Sequence, residues 1–210
     1  MRSYRHWTPG YLINRFVEKR YRRMHPQEPW LTPAANQFLS GYLRKGDVGL
    51  EFGSGASTLW FARRVAHLTS VEHDPNWYER VKAGLEAQGI GNVTYLYFEV
   101  PNCVPEGVLP DYPQVVDQFD PDSLDFVVVD GKLRDMCATK SLPKIRPGGI
   151  LILDNADVYL PSDLKTPNAR RKEQGTASPL WNDFMTAVAD WRNYWTCNGV
   201  SATAIFFKPL

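Results

Sequence analysis

The chain is poor in cysteine, in long apolar runs and in net charge, and each shortage removes a class of protein. Its three cysteines, Cys103, Cys137 and Cys197, are odd in number and share no metal-ligand spacing. Neither a disulfide framework nor a zinc site is read from them, and free thiols in a reducing cytoplasm are expected. No apolar stretch approaches the roughly 18 residues a spanning helix needs, so no transmembrane segment is expected. No apolar core followed by a small-residue cleavage site stands near Met1, so no secretory signal is read. There is no internal repeat and no low-complexity tract. What remains is an ordinary globular composition, 43% hydrophobic and 22% charged over 210 residues, enough for one domain with a full core.

The net charge of +1 hides an asymmetry. Residues 1–25 carry seven cations (Arg2, Arg5, Arg15, Lys19, Arg20, Arg22, Arg23) against Glu18, or +6, and the rest carries 17 basic and 22 acidic residues, or −5. Tyr11, Leu12, Phe16, Val17, Tyr21 and Met24 fall near helical spacing, which predicts an amphipathic helix in a basic arm over 1–31. Such an arm attracts a nucleic acid or an anionic membrane, packs on the domain with its basic face in water, or folds over a crevice. The last is the expectation, because Trp7, Tyr11, Phe16 and Tyr21 are costly to leave in water. Nothing in it is specific for nucleic acid.

After the proline-rich connector "HPQEPWLTP" the chain reads as a second unit, 32–210. A short helix over 34–43 precedes alternating strands and helices. The strands are "VGLEF", "HLTSVE", "NVTYLYFE", "LDFVVVD" and "ILILD". Between them come "STLWFARRV" behind a Ser/Thr cap, "DPNWYERVKAGLEAQG" with an Asp cap and a Gly stop, and a helix from about Met136 to Ile145 ending at "RPGG". Near-continuous apolar strands alternating with helices predict a parallel, doubly wound α/β sheet. A final helix, "PLWNDFMTAVADW", is followed by two strand-like runs around Asn198-Gly199, which predict an antiparallel hairpin and seven strands in all.

Each of the five parallel runs ends in an acid: Glu51, Glu72, Glu99, Asp130 and Asp154. Helix capping explains two or three of them, but in an open α/β sheet strand ends gather around one crevice. The first acid stands inside a glycine turn, "LEFGSGAST". A carboxylate there repels a pyrophosphate, and Thr58 replaces the third glycine of a dinucleotide loop. S-adenosylmethionine brings no phosphate but a sulfonium, an ammonium and a ribose diol. Gly53 and Gly55 let the backbone approach it, and Glu72, nineteen residues beyond Gly53, is placed to accept both ribose hydroxyls.

"LEFGSGAST", "SVEHD", "VVVDG" and "RPGGILILDNAD" together resemble the class I S-adenosylmethionine-dependent methyltransferases, as does the terminal hairpin; the resemblance covers about 32–210. It implies that Glu51, Gly53, Ser54, Gly55 and Ser57 line the methionine end, Glu72 holds the ribose, His73 lies by the adenine edge, and Phe98 and Glu99 close the adenine pocket. Asp130 faces the same cofactor. A narrower resemblance is to the catechol O-methyltransferase type. There Asp130, Asp154 and Asn155 match the ligands of a divalent ion, and three oxygen ligands suit Mg2+. That type has a longer glycine loop, and its catalytic lysine aligns near Leu133, between Lys132 and Arg134.

The expected activity is methyl transfer to a small-molecule acceptor, with a hydroxyl oxygen favoured. The metal, or Asp130 or Asp154, removes the proton, and Lys132 and Arg134 hold an anionic acceptor or the developing oxyanion. The rivals are an aminopropyltransferase of the same fold, an NAD-dependent oxidoreductase, and a non-catalytic protein binding through its arm. A homodimer is one open assembly state. Trp60 and Trp77 are assigned to core packing; Trp181, Trp191 and Trp195 suit packing or an acceptor pocket. His6, His25 and His67 are given no chemistry. The polar segment 165–179 reads as a mobile loop, either a lid or a solvated insertion.

Overall fold

In the buried run 126–129 alternate side chains enter two different cores, Val127 and Val129 one and Phe126 and Val128 the other, as a strand covered on both faces requires. The structure is a computed structural model describing residues 8–101 and 108–210. Arg2, Arg5, His6, Trp7 and Cys103 lie outside the described residues. In chain order the elements are α1 (Pro9–Met24), α2 (Pro33–Tyr42), β1 (Val48–Phe52), α3 (Ala56–Ala62), β2 (His67–Glu72), α4 (Pro75–Ala87), β3 (Val93–Tyr97), α5 (Asp111–Gln114), β4 (Leu124–Val129), α6 (Arg134–Ser141), β5 (Ile145–Asp154), α7 (Ala156–Tyr159), α8 (Pro179–Ala187), β6 (Arg192–Cys197) and β7 (Ala202–Phe207).

The seven-stranded sheet runs β3-β2-β1-β4-β5-β7-β6. Strands β1 to β5 are parallel, and β7 is antiparallel to both β5 and β6. One core packs α6 and α8 (Cys137, Ala138, Trp181, Phe184) on the sheet. The other packs α2 and α3 (Ala35, Leu39, Trp60, Phe61), with α4 beside α3. Strand order reverses between β1 and β4, where open α/β sheets bind ligands. This is the doubly wound architecture expected, hairpin included: Gly199 has φ +79°, and the Asn198 side chain accepts the N–H groups of Val200 and Ser201.

Several boundaries move. The cap of α3 is Gly55, and Ser57 and Thr58 fall inside its first turn; the Thr58 hydroxyl is drawn to Glu51 instead. Asp74 does cap α4, accepting the Trp77 N–H at 2.9 Å. The helix expected over 136–145 stops at Ser141, and "RPGG" belongs to β5. A Cβ on Gly149 would stand 2.8 Å from the Asp125 carbonyl, so that glycine permits a close strand approach and is not a helix stop. β3 ends at Tyr97, leaving Phe98 and Glu99 beyond it.

Helix α1 forms where expected, with Thr8 as cap, Pro9 at its first position and Arg22 and Arg23 in its last turn, all favourable for a helix. Its apolar side is not turned inward. Glu18 is the buried residue, held by Arg15 and Arg22 at 2.6 Å each, and Phe16 is exposed. Of the aromatic residues expected to be covered by the arm folding over, Phe16 is instead in water, while Tyr11 and Tyr21 are half-buried. The helix was docked by its polar face, which includes Asn14 against the hairpin tip at Gly199.

Candidate active site

Strand β1 delivers Glu51 to the centre of the sheet, wholly buried. Its Oε2 accepts the hydroxyls of Thr58 and Ser70, each at 2.6 Å, while Oε1 has no hydrogen-bond partner. Burial pushes the Glu51 carboxyl up to about 7, opposed by hydroxyls of Ser57, Ser70 and Thr58, because removing a carboxylate from water penalises the charged form. An acid so placed lacks a cation. A cationic ligand group would supply the missing charge. Beyond Glu51 the chain turns at Gly53, φ +92°, where a Cβ would sit 2.6 Å from the Gly131 nitrogen. Gly53 is thus required by the contact between the loops after β1 and β4.

Glu72 closes β2, buried, and its four acceptor positions are already used. Oε2 takes the Ser54 N–H (2.9 Å) and hydroxyl (2.7 Å), and Oε1 takes the N–H groups of His73 and Asp74 at 2.8 Å each. Binding a ribose diol here means releasing the Ser54 hydroxyl, which has another partner in Tyr95 Oη at 2.6 Å. His73 stands beside Glu72, with Nδ1 3.0 Å from Oε1. Phe98 packs against the first core and Glu99 is exposed. Neither lines the cavities described below.

The ends of β4 and β5 are tied together by Arg134. Its Nε donates to the Gly131 carbonyl (2.9 Å), Nη2 to the Asp130 carbonyl (2.6 Å) and carboxylate (2.8 Å), and Nη1 to the Asp154 carbonyl (2.6 Å) and Asn155 Oδ1 (3.5 Å). All five guanidinium donors are spent on the protein, so Arg134 does not hold an anionic acceptor as expected; it is a clamp. Lys132, by contrast, is exposed and lines the cavity. Two left-handed residues, Leu133 (φ +49°) and Asn155 (φ +51°), turn the chain sharply after these strands, a strain found at functional sites.

The same clamp decides the metal question. The guanidinium already faces Asp130 Oδ1 and Asn155 Oδ1, while the Asp154 carboxyl accepts the Thr203 hydroxyl at 3.0 Å. As arranged, this donor set does not fit Mg2+, and among the described residues no group of three His, Cys, Asp or Glu side chains could hold a metal ion. What the set does form is a carboxyl pair. Burial and the neighbouring Asp130 push the Asp154 carboxyl well above the usual range. Burial raises Asp130 as well, against the pull of Arg134 and a hydrogen bond with Asp154. Burial and the nearness of the two carboxyls disfavour ionising both at once.

Asp130 opens into two adjoining cavities, of about 270 and 650 Å³, which share Trp30, Ser54, Trp77 and Arg80. The two indoles stand 6.4 Å apart at 53°. Trp77 Nε1 donates to the Ser54 carbonyl at 2.6 Å, so this tryptophan braces the glycine loop and is not a core residue; Trp60 is one. Trp30 was missed because it lies in the connector, among prolines, where no periodicity marks it. Trp181 is buried in packing, and Trp191 and Trp195 pack on the same core. Segment 165–179 lines neither cavity. It is bound down, with Thr166 to Asp157, the Arg170 N–H to the Asp157 carbonyl, and the Ala177 N–H to Tyr159.

Comparison with known proteins bears on the family and the fold. A family described as "Methyltransferase domain" matches residues 50–156, just over half of the chain. No curated protein matches. Among solved structures, a methyltransferase-like protein from Silicibacter pomeroyi is 24% identical, TM-score 0.57, with 88% of this chain and 91% of that one covered. A methyltransferase from Geobacter sulfurreducens is 12% identical, TM-score 0.57, covering 93% and 88%. A Streptococcus mutans protein in complex with SAH is 12% identical, TM-score 0.53, covering 83% and 96%. At these identities the structures establish the fold. The chain belongs to the methyltransferase domain family, and S-adenosylmethionine-dependent methyl transfer on a class I fold is its activity class.

Proposed function

We propose that the acceptor is a small, flat molecule bound against Trp30 and Trp77, and that the methyl group goes to its hydroxyl oxygen. The observation that carries this reading is the carboxyl pair: Asp130, held by Arg134, faces the cavity, and Asp154, whose carboxyl burial pushes well up, lies buried behind it. S-adenosylmethionine supplies an electrophilic methyl on a sulfonium. The chain's contribution is alignment and proton removal. Asp130 accepts the hydroxyl proton as the oxygen attacks, and the sulfur leaves with its electron pair. Burial raises the basicity of Asp130 toward the working pH, which suits a base. Glu51 faces the cationic end of the cofactor. Glu72 takes the ribose as the Ser54 hydroxyl turns to Tyr95, His73 and Phe98 mark the direction of the adenine, and Lys132 offers a mobile cation at the rim. The cationic Lys132 and Arg134 beside Asp130 disfavour a polyamine acceptor.

Calorimetry should show S-adenosylmethionine binding in the micromolar range usual for enzyme substrates, and release of the demethylated product should depend on a hydroxyl acceptor. Asp130→Asn should abolish turnover while leaving cofactor affinity largely intact. Turnover should persist in excess chelator. Binding of NAD in place of S-adenosylmethionine would overturn the cofactor reading, and activity lost to chelator and restored by Mg2+ would restore the metal.

A further inference from the structure

Helix α1 is built the wrong way round for a helix whose partner is only the domain beneath it. Its docked side carries Asn14, Glu18, Tyr21 and Arg22; Tyr21 donates to Glu28 at 2.5 Å, and the Arg22 guanidinium lies 4.8 Å over the Trp30 ring. Its outward side carries Leu12, Ile13, Phe16 and Val17, between 48% and 67% exposed, with Met24 beyond them. Soluble surfaces seldom cluster such side chains without a partner. On the same outward arc stand Lys19, Arg20 and Arg23, exposed and, among the described residues, in no ion pair. The helix's one acid, Glu18, is buried on the opposite side.

We infer that this outward face of α1 seats on an anionic lipid surface. The charges choose among the occupants. A second copy of the chain, pairing this face with itself across a two-fold axis, would oppose Lys19, Arg20 and Arg23 with like charges. A nucleic acid would satisfy the cations and leave Leu12, Ile13, Phe16 and Val17 in water. An anionic bilayer takes both: apolar side chains enter the headgroup boundary, while interleaved cations meet the lipid phosphates. From Leu12 to Met24 the face is about 18 Å long at roughly 1.5 Å per residue, and the chain then runs through Pro26 to Trp30, both of which line the cavity. The docked side is held by Tyr21 on Glu28, Arg22 over Trp30 and Asn14 at Gly199, which leaves Lys19, Arg20 and Arg23 outward.

The full chain is tested by co-sedimentation with vesicles of phosphatidylcholine alone or mixed with phosphatidylglycerol. Binding is expected only to the mixed vesicles, weakening with salt. Two triple variants report separately: Leu12→Ser with Phe16→Ser and Val17→Ser, and Lys19→Gln with Arg20→Gln and Arg23→Gln. Both should lose vesicle binding, the second by on the order of 100-fold at about five-fold per cation, with melting temperature and S-adenosylmethionine affinity unchanged. Because the cofactor reading is measured in the same samples, its failure is distinct from failure of this one. No binding by the intact chain, or equal binding to both vesicles, would overturn the inference. So would a dimer that dissociates in the serine variant, or a DNA duplex that the serine variant binds as well as the intact chain.

Discussion

Two of the buried glutamates, Glu18 and Glu51, are buried differently. Glu18 sits under α1 between two arginines, at 2.6 Å from each. Glu51 sits at the centre of the sheet with hydroxyls on one oxygen and nothing on the other. A buried carboxylate needs a cation or a proton. The first has its cations from its own helix and is finished. The second has none in the protein and holds a proton to about pH 7. The difference separates a carboxylate whose charge is met within its own helix from one that, among the described residues, meets no cation.

The largest test of this contrast is the pH dependence of stability. Glu51 rises from 4.5 in the open chain to about 7 in the native state. Below 4.5 both states are neutral and its burial costs nothing; as the pH climbs toward 7 the unfolded chain releases the proton first. Native stability should therefore fall by about 3 kcal/mol across that window and level off above it. Urea midpoints of the Glu51→Gln variant should lack this component. Next comes the ligand: binding S-adenosylhomocysteine, which keeps the ammonium, should expel the Glu51 proton near pH 6–7. Calorimetry in buffers of different ionisation enthalpy should read that release, and Glu51→Gln should abolish it with a loss of about 1.5–3 kcal/mol in affinity.

A third, smaller effect belongs to the clamp. Arg134→Lys keeps the charge but offers three donors where five are used, so kcat should fall about ten-fold, about 1.4 kcal/mol, with the acidic limb of the pH–rate profile displaced; an unmoved profile would show that Arg134 does not set the base. The smallest is Glu18→Gln. Its arginines are partly exposed and free to rehydrate, so the cost should stay at or below about 1 kcal/mol. A cost equal to that of Glu51 would erase the contrast.

What the sequence disclosed follows the range of each signal. The succession of strands and helices, the hairpin at Asn198-Gly199 and the acids that close β1, β2 and β5 rest on local patterns, and they were legible. The glycine turn with Glu51 was legible as chemistry, since an acid in that position selects against phosphate. Orientation was not. The spacing of Leu12, Phe16 and Val17 predicts a face, as does that of Ala35 and Leu39 in α2, yet one face is outside and the other inside. What decides is what the polar side of α1 meets, Glu28, Trp30 and the hairpin tip at Gly199, and that is a tertiary matter. Trp77 looked like a core residue because helical spacing does not say which helix end borders a cleft. The saturation of Glu72 by Ser54, His73 and Asp74, and of Arg134 by two strand ends, are properties of how loops meet, and composition carries no trace of them.

Strand β7 lies between β5 and β6 in space but follows both along the chain. During synthesis β5 has an open flank and β6 has no strand to pair with until residues 202–207 leave the ribosome, and translation proceeds at about 5–20 residues per second. Ala204 and Phe206 then enter one core while Ile205 enters the other, so a single late segment completes both. The parallel half can assemble early, whereas this half is a keystone that arrives last. Until it does, the exposed edge of β5 is the place where a nascent chain of this protein is open to a chaperone or to another copy of itself.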